Sequence, residues 1–423
     1  MTGERRRMAV IGSGIAGLTA AHILSAAHEV TLYEADDRLG GHAHTHDLPD
    51  AAGRIHQVDS GFIVHNRRTY PHLLRLFSEL GVATQESEMS MSVRCDGCGL
   101  EYAGARGPRG LLARPAHALR ARYLRLLAEV PVFHRRARAL LAAPESPDEP
   151  TLGEFLAAGR FSRYFVTHFM TPVVACVWSC APRTALRYPA RYLFRFLDHH
   201  GMLTVTGSPT WRTVTGGSRA YVERVAKQLT AVHTGTEVRA VRRHADGADV
   251  TTASGTTERY AAVVIATHPD QALRLLADPS DDERAVLGAF GYSRNPTVLH
   301  TDTSVLPRSS GARASWNYRM PACDVSSDGV RVSYDMNRLQ RLDAADTYVV
   351  TLNSAQDVDR SRVLAEMVYE HPLYTPESVA AQRRLPALNT SVTAFAGAYH
   401  GWGFHEDGCR SGVTAATALG VRW

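Results

Sequence analysis

The sequence predicts an α/β chain. A Rossmann-type parallel sheet is interrupted twice, and the interrupting segments form a second, α+β domain. Three stretches carry that prediction. Residues 8 to 37, "MAVIGSGIAGLTAAHILSAAHEVTLYEADD", read as strand, glycine turn, helix and strand. Residues 236 to 269, "TEVRAVRRHADGADVTTASGTTERYAAVVIATHP", show strand-like runs, with turn pairs at Asp246-Gly247 and Ser254-Gly255. Residues 392 to 419, "VTAFAGAYHGWGFHEDGCRSGVTAATAL", read as strand, glycine loop and helix.

The first stretch also carries a binding signal. Gly12, Gly14 and Gly17 have the spacing G-x-G-x-x-G between a buried strand and a helix. The first permits a tight turn, the second lets backbone approach a pyrophosphate, and the third packs helix on strand. Ile15 and Ala16 open the helix whose free N–H groups would face the phosphates. Glu34, followed by Ala35, ends the second strand 17 residues after Gly17, where an acid accepts from ribose hydroxyls. Together these features indicate dinucleotide binding.

Composition narrows the class. A chain of 423 residues exceeds one ordinary domain. No apolar run reaches the roughly 18 residues of a membrane span. The opening "MTGERRRMAVIG" lacks the apolar stretch of a secretory leader, so a cytoplasmic protein is expected. Six cysteines in this length do not make a disulfide framework. A formal net charge of +5 is too small to indicate nucleic-acid binding. Of the 47 basic residues only Lys227 is a lysine.

Beyond Glu34, "ADDRLGGHAHT" (35 to 45) resembles the flavin-dependent amine oxidase superfamily, which has an arginine and two glycines at this point. The resemblance implies non-covalent FAD, a glutathione-reductase-like FAD domain and a discontinuous, amine-oxidase-like substrate domain. It places Arg38, Gly40 and Gly41 along the pyrophosphate and ribityl chain. His42 stands where the superfamily usually has a second arginine, as a hydrogen-bond donor or proton relay. Asp59, Gly61 and Phe62 fall in the segment beside the flavin ring, although Asp59 also reads as a simple turn residue. Val238 matches the residue whose backbone meets the adenine. Ala266 belongs to the crossing loop "ATHP", and Gly216-Gly217 begins a helix near the flavin. In the last stretch Gly397 follows the final strand. Gly408 and Cys409 are expected to turn their N–H groups to the flavin pyrimidine. The acid usual after "FAG" is absent here, where Ala398 stands, so its contact is either missing or made by Asp407.

Other stretches are ambiguous. "MSMSVRCDGCGLEYAG" predicts a hairpin with an Asp96-Gly97 tip and Cys95 across from Cys98. A zinc site of Cys95, Cys98, Cys176 and Cys180 is the weaker reading, because the second pair has i, i+4 spacing in an apolar stretch. Of the alternating His42, His44 and His46 of "RLGGHAHTHD", the first two are expected to line the cofactor wall and His46 to continue into a surface loop, rather than hold a metal together; no metal is expected. Residues 105 to 140 are helical in pattern and rich in arginine, with an apolar stripe of Leu119, Tyr123, Leu126 and Leu127. This is a solvated face or a peripheral membrane contact.

Four further stretches, "LGGHAHT", "VDSGFIVHN", "YDMNRLQ" and "YHGWGFHEDG", resemble a bacterial branch of predicted NAD/FAD-binding oxidoreductases often associated with cyclopropane-fatty-acid-synthase-like methyltransferases. The resemblance implies hydride transfer between flavin N5 and an unsaturated or methyl-branched acyl chain. His405, His42 and Glu406 are the acid/base candidates. Amine oxidation in the strict sense is the alternative, and the missing substrate-domain lysine argues against it. A third reading is a flavin-binding partner of a lipid methyltransferase. The expected division is an FAD domain of residues 1–80, 208–282 and 389–423, and a substrate domain of 81–207 and 283–388.

Overall fold

The computed structural model describes residues 5–146, 148–204, 207–324 and 329–423. Its first sheet is wholly parallel, in the order Ala231–His233, Glu29–Tyr33, Arg7–Ile11, Ala262–Ile265, Thr393–Phe395. Strands from three distant parts of the chain therefore close one sheet. Each central strand is an apolar run buried on both faces, as parallel sheets require. On one face lies the helix Ile15–Ser25, and against it the C-terminal helix His405–Ala418. The two pack backbone to backbone: a Cβ on Gly412 would stand 2.4 Å from the Ala16 carbonyl. An antiparallel trio, Val238–His244, Gly247–Thr252 and Thr257–Tyr260, is joined by the expected turn at Ser254-Gly255 and by a turn at Ala245-Asp246, one residue before the expected Asp246-Gly247, because Gly247 already pairs with His244.

The second large sheet has seven strands, in the order Val363–Leu373, Gly291–His300, Val349–Leu352, Val332–Asp335, Trp316–Met320, Met91–Cys95, Leu100–Ala103. All pairs are antiparallel except Trp316–Met320 with Met91–Cys95. Helices Ala121–Ala142, Thr171–Trp178 and Ala190–His199 share its core. Phe133 is the hub of that core, in ring contact with Phe155, Phe161, Phe165 and Phe194.

Two sequence expectations change. The hairpin loop runs from Asp96 to Gly99, so Cys95 pairs with Leu100 and Cys98 sits in the turn. The arginine-rich region is not one helix but short turns followed by Ala121–Ala142, with Pro131 inside. Tyr123 and Leu126 are buried as expected, whereas Leu119 precedes that helix and is 89% exposed. Among the described residues no helix is long and apolar enough to cross a membrane.

Candidate active site

A cavity of about 1200 Å³ runs from the carboxyl ends of the parallel strands to the seven-stranded sheet. Crevices at such strand ends are where open α/β sheets bind ligands.

At one end the wall is the glycine turn. Gly12, Gly14, Ile15 and Ala16 line it. A Cβ on Gly17 would stand 1.9 Å from the Gly12 carbonyl, so this residue sets the helix against the strand and is not itself in the wall. A Cβ on Gly14 would meet nothing within 4 Å; it would project into open space at the helix N-terminus. Glu34 and Ala35 continue the wall. The Glu34 carboxylate accepts from the N–H of Ser13 at 2.8 Å and of Asp36 at 3.0 Å. The Ser13 hydroxyl also donates to it and accepts from the N–H of Gly40 at 3.0 Å. Gly40 thus braces the turn from behind, while Gly41 faces the cavity. Val238, Ala266 and Gly397 complete this end.

Gly61, Phe62, His42 and His405 line the middle. His42 is buried between Tyr369, at 5.0 Å between ring centroids, and His371, at 5.2 Å. Burial, reinforced by His371, His268, His405 and Arg38, holds its imidazole well below the usual histidine range. Its Nε2 and the Arg38 Nη1 are buried without a partner. Buried polar nitrogens are ordinarily satisfied. His42 lines the cavity next to Gly41, which packs on Gly14, and its unpartnered Nε2 with the open space over Gly14 is what an anionic, hydrogen-bonding cofactor would complete, so the residues present fit FAD. His405 stacks on Phe62 at 3.6 Å, and its Nε2 meets the Tyr221 hydroxyl at 3.2 Å. Burial, with His65 nearby, holds it down to about 3, so it is neutral at pH 7. His44 and His46 lie outside the cavity wall, His46 half-buried in the strand Thr45–Pro49 rather than in a surface loop, and they do not converge on a metal position with His42. They bond to the Tyr369 and Ser60 hydroxyls at 3.2 and 2.8 Å, and those hydroxyls meet each other at 2.7 Å.

Several predicted site residues have other tasks. The Glu406 carboxylate accepts from the N–H of His72 at 3.1 Å and of Leu73 at 3.0 Å, and contacts His72 Nδ1 at 2.6 Å. It caps the helix Pro71–Leu80 and is outside the cavity wall. Asp407 accepts from the N–H of Phe404 at 3.1 Å and pairs with Arg410 at 2.8 Å, closing its own helix start. Gly408 donates to the Phe404 carbonyl at 3.0 Å, so its N–H is spent inside the helix. Because that helix begins at His405, the free first-turn donors are those of His405, Glu406 and Asp407. Cys409 accepts from the Thr19 hydroxyl at 3.4 Å, against the first helix and off the wall. Asp59 accepts from Ser218 N–H at 2.9 Å, Thr45 Oγ1 at 2.6 Å and Gln340 Nε2 at 3.2 Å. It ties "VDSG" and "YDMNRLQ" to the Gly216-Gly217 loop rather than facing the cavity.

The sequence reading missed His371 and Tyr369. They alternate on the strand Val363–Leu373, and both line the cavity. The Asn353 amide donates to Asn295 Oδ1 at 2.7 Å, which turns the Asn295 amide NH₂ toward His371 Nδ1 at 3.0 Å. Nδ1 therefore accepts, and the ring proton sits on Nε2. Burial holds His371 down to about 4.

The far end is walled by Met89, Met91, Val177, Trp178, Trp316 and Phe404. Lys227 is exposed at the end of the helix Arg219–Ala226, away from the cavity.

Residues 15–301 match the profile of the flavin-containing amine oxidoreductases. The chain belongs to this family. Its cofactor is FAD. The chain is 29% identical over 286 residues to AofH of Mycobacterium tuberculosis, named a flavin-containing monoamine oxidase; the match covers 64% of this chain and 58% of that relative. The L-tryptophan oxidase RebO of Lentzea aerocolonigenes is 33% identical over 98 residues, 23% of this chain and 20% of its own. Among solved structures, a conjugated-linoleic-acid-producing fatty acid isomerase from P. acnes superimposes with TM-score 0.66, covering 97% of both chains at 16% identity. Putrescine oxidase bound to putrescine gives 0.67 at 16% identity, covering 98% of this chain and 99% of its own. These likenesses establish the shared fold.

Proposed function

We propose that this protein is a FAD-dependent oxidoreductase acting on a hydrophobic substrate, an unsaturated or methyl-branched fatty acyl chain. The observation that carries this reading is the character of the far wall. Its large side chains are apolar and aromatic, with small hydroxyls such as Ser90 and Ser179 between them and no charged group among them. On the adjoining strand the one acid at the cavity, Glu370, is paired with His268 Nδ1 at 3.3 Å. Among the described residues no free carboxylate stands in the substrate end to receive an ammonium group. Such a wall rewards burial of methylene groups, at about 0.8 kcal/mol each. The family fold also serves a fatty acid isomerase.

Bound FAD would supply an acceptor or donor for a hydride. The chain itself orients the substrate and handles the proton. The aromatic walls hold an alkyl chain and exclude water. His42 and His371 are both neutral at pH 7, and His371 presents its Nε2–H, so the pair can hold one proton beside the reacting carbon. The Tyr369 hydroxyl, bonded to Ser60 and His44, fixes the ring that packs on His42. Exposed Leu112, Leu119 and Leu124, on a stretch with exposed Arg109, Arg122 and Arg125, suit contact with an anionic membrane surface that delivers such chains.

A second reading, amine oxidation, draws on the aromatic wall of Trp178, Tyr369 and Phe404, which would also accept a neutral amine. Mass spectrometry of lipids separates the two. Cells expressing the protein, with and without a co-expressed lipid methyltransferase, should differ from empty cells in acyl unsaturation or branching. Unchanged acyl profiles in every combination would contradict the acyl reading.

A further inference from the structure

We propose that Cys95, Cys98, His168 and Cys323 bind a structural zinc ion at the outer end of the second sheet. This site is independent of the flavin reaction and of the substrate proposed above.

One ligand atom from each residue lies within 4.8 Å of the others. Cys95 Sγ is 3.5 Å from Cys323 Sγ, and Cys98 Sγ is 3.6 Å from His168 Nε2. Tetrahedral zinc, with Zn–S near 2.3 Å and Zn–N near 2.0 Å, requires ligand-to-ligand edges of about 3.5 to 3.8 Å. Two of the six edges already have that length, and the other pairs, all within 4.8 Å, would close by no more than about 1 Å on an ion. Three thiolates and one imidazole are a common structural zinc set, and soft sulfur ligands exclude magnesium and calcium.

The backbone around the site is built for it. Cys95 and Cys98 flank a turn in which Gly99 takes a φ of +68°. That turn aims the N–H of Cys98 at Cys95 Sγ and the N–H of Leu100 at Cys98 Sγ. Such N–H donors stabilise thiolates. His168 lies in a π-helical turn, Val166–Met170, interrupting the helical run from Arg163 to Trp178. Single π turns re-aim a side chain and recur at functional sites. Here the re-aimed ring stacks on Tyr164 at 3.9 Å and places Nδ1 3.2 Å from the Tyr164 carbonyl. Nδ1–H donates to that carbonyl, which leaves Nε2 with a lone pair toward the cysteines. Cys323 is delivered by strand pairing: Met320 is opposite Cys95, and the Asp96 N–H donates to the Met320 carbonyl at 2.8 Å. The Arg120 guanidinium donates to the Cys98 carbonyl at 2.8 Å and supplies positive charge beside three thiolates.

The ion would join three segments distant in sequence: the hairpin, the His168 helix and the loop after Met320. The same helical run ends in Cys176, Val177 and Trp178, which line the active-site cavity. The zinc therefore fixes the outer end of an element whose inner end shapes the substrate wall. The four-cysteine set with Cys176 and Cys180, the weaker reading of the sequence, does not assemble: Cys176 belongs to the cavity wall, and both lie outside this cluster.

The test is metal analysis of the FAD-loaded, full-length protein produced in zinc-replete medium. About one zinc per chain is expected, surviving gel filtration and released by a thiol-modifying mercurial. Cys98→Ser and His168→Ala should each retain less than about a tenth of that zinc, while Cys180→Ser retains all of it. Should the variants fail to fold, cobalt(II)-grown wild-type protein gives a second reading, with thiolate-to-cobalt charge-transfer bands expected. Wild-type protein with less than about a tenth of a zinc per chain would overturn the proposal. So would non-reduced peptide maps showing a Cys95–Cys323 disulfide as the dominant form.

Discussion

The two ends of the cavity are made differently. At the cofactor end the wall is largely backbone: a glycine turn and a helix N-terminus beside the Glu34 carboxylate, all within the first 34 residues, completed by Gly41, Val238, Ala266 and Gly397. At the substrate end it is bulky side chains brought from strands and helices hundreds of residues apart, such as Met89, Trp178, Trp316 and His371. The first recognises an anion through fixed N–H groups. The second recognises shape and apolarity. Cofactor binding here is a local property of the chain, whereas substrate selection is a property of its packing.

That contrast can be broken at four points, in order of expected effect. His371→Phe keeps an aromatic ring but removes the proton carrier at the junction of the two ends. The flavin reduction rate should fall by about 10²- to 10⁴-fold at unchanged FAD content, in stopped-flow traces. The same variant changes the acid limb of stability. His371 is held down to about 4 when folded, against an ordinary value near 6.5. Its neutral form thus contributes stability that is present above about pH 6.5 and lost as pH falls toward 4. Thermal melts of the variant should lose that part of the decline.

Phe133→Ala empties the hub of the aromatic core behind the substrate wall. Unfolding titrations should show a loss of about 3 kcal/mol. FAD affinity of the folded fraction should stay within about threefold, since no part of the cofactor end touches Phe133. A large loss of flavin would mean that the two ends are not separable.

Gly14→Val probes the opposite case. Gly14 has φ −64° and ψ 172°, which any residue adopts, so the fold tolerates valine. The added methyls project into the cofactor space. FAD affinity should drop at least about tenfold, near 1.4 kcal/mol, with the melting temperature of the apoprotein unchanged.

Glu406→Gln is the smallest change. Its carboxylate caps a helix rather than serving the flavin. About 1 kcal/mol of stability should go, and the flavin reduction rate should stay the same.

The same contrast explains what could be read in the sequence. The parallel sheet and Gly12, Gly14 and Glu34 are legible because glycine spacing, strand ends and turn pairs are local signals, whereas Gly41 and Val238 were implied by the family resemblance. Glu406 and Asp407 carry the right chemistry in the right motifs but are claimed by helix starts, which only the register of the C-terminal helix reveals, and Asp59 is claimed by the Gly216-Gly217 loop. One residue's difference in where a helix begins decides which N–H groups remain free. The helix opens at His405, and so Gly408 is already committed. His371 was hidden because "VYEHPL" mixes a proline and charges into a strand whose pairing lies with Gly291–His300. Cys98 lacked its partners for the same reason: His168 and Cys323 lie 70 and 225 residues further along the chain.

The central claim is that an acyl chain, rather than an amine, fills the apolar end against the flavin. Anaerobic mixing of the FAD-loaded protein with a panel of unsaturated or methyl-branched acyl lipids, and separately with primary amines, tests it directly. The account predicts bleaching of the oxidised flavin band by an acyl lipid, or conversion of that lipid without net bleaching, and no response to amines. Rapid bleaching by amines with acyl lipids inert would contradict it.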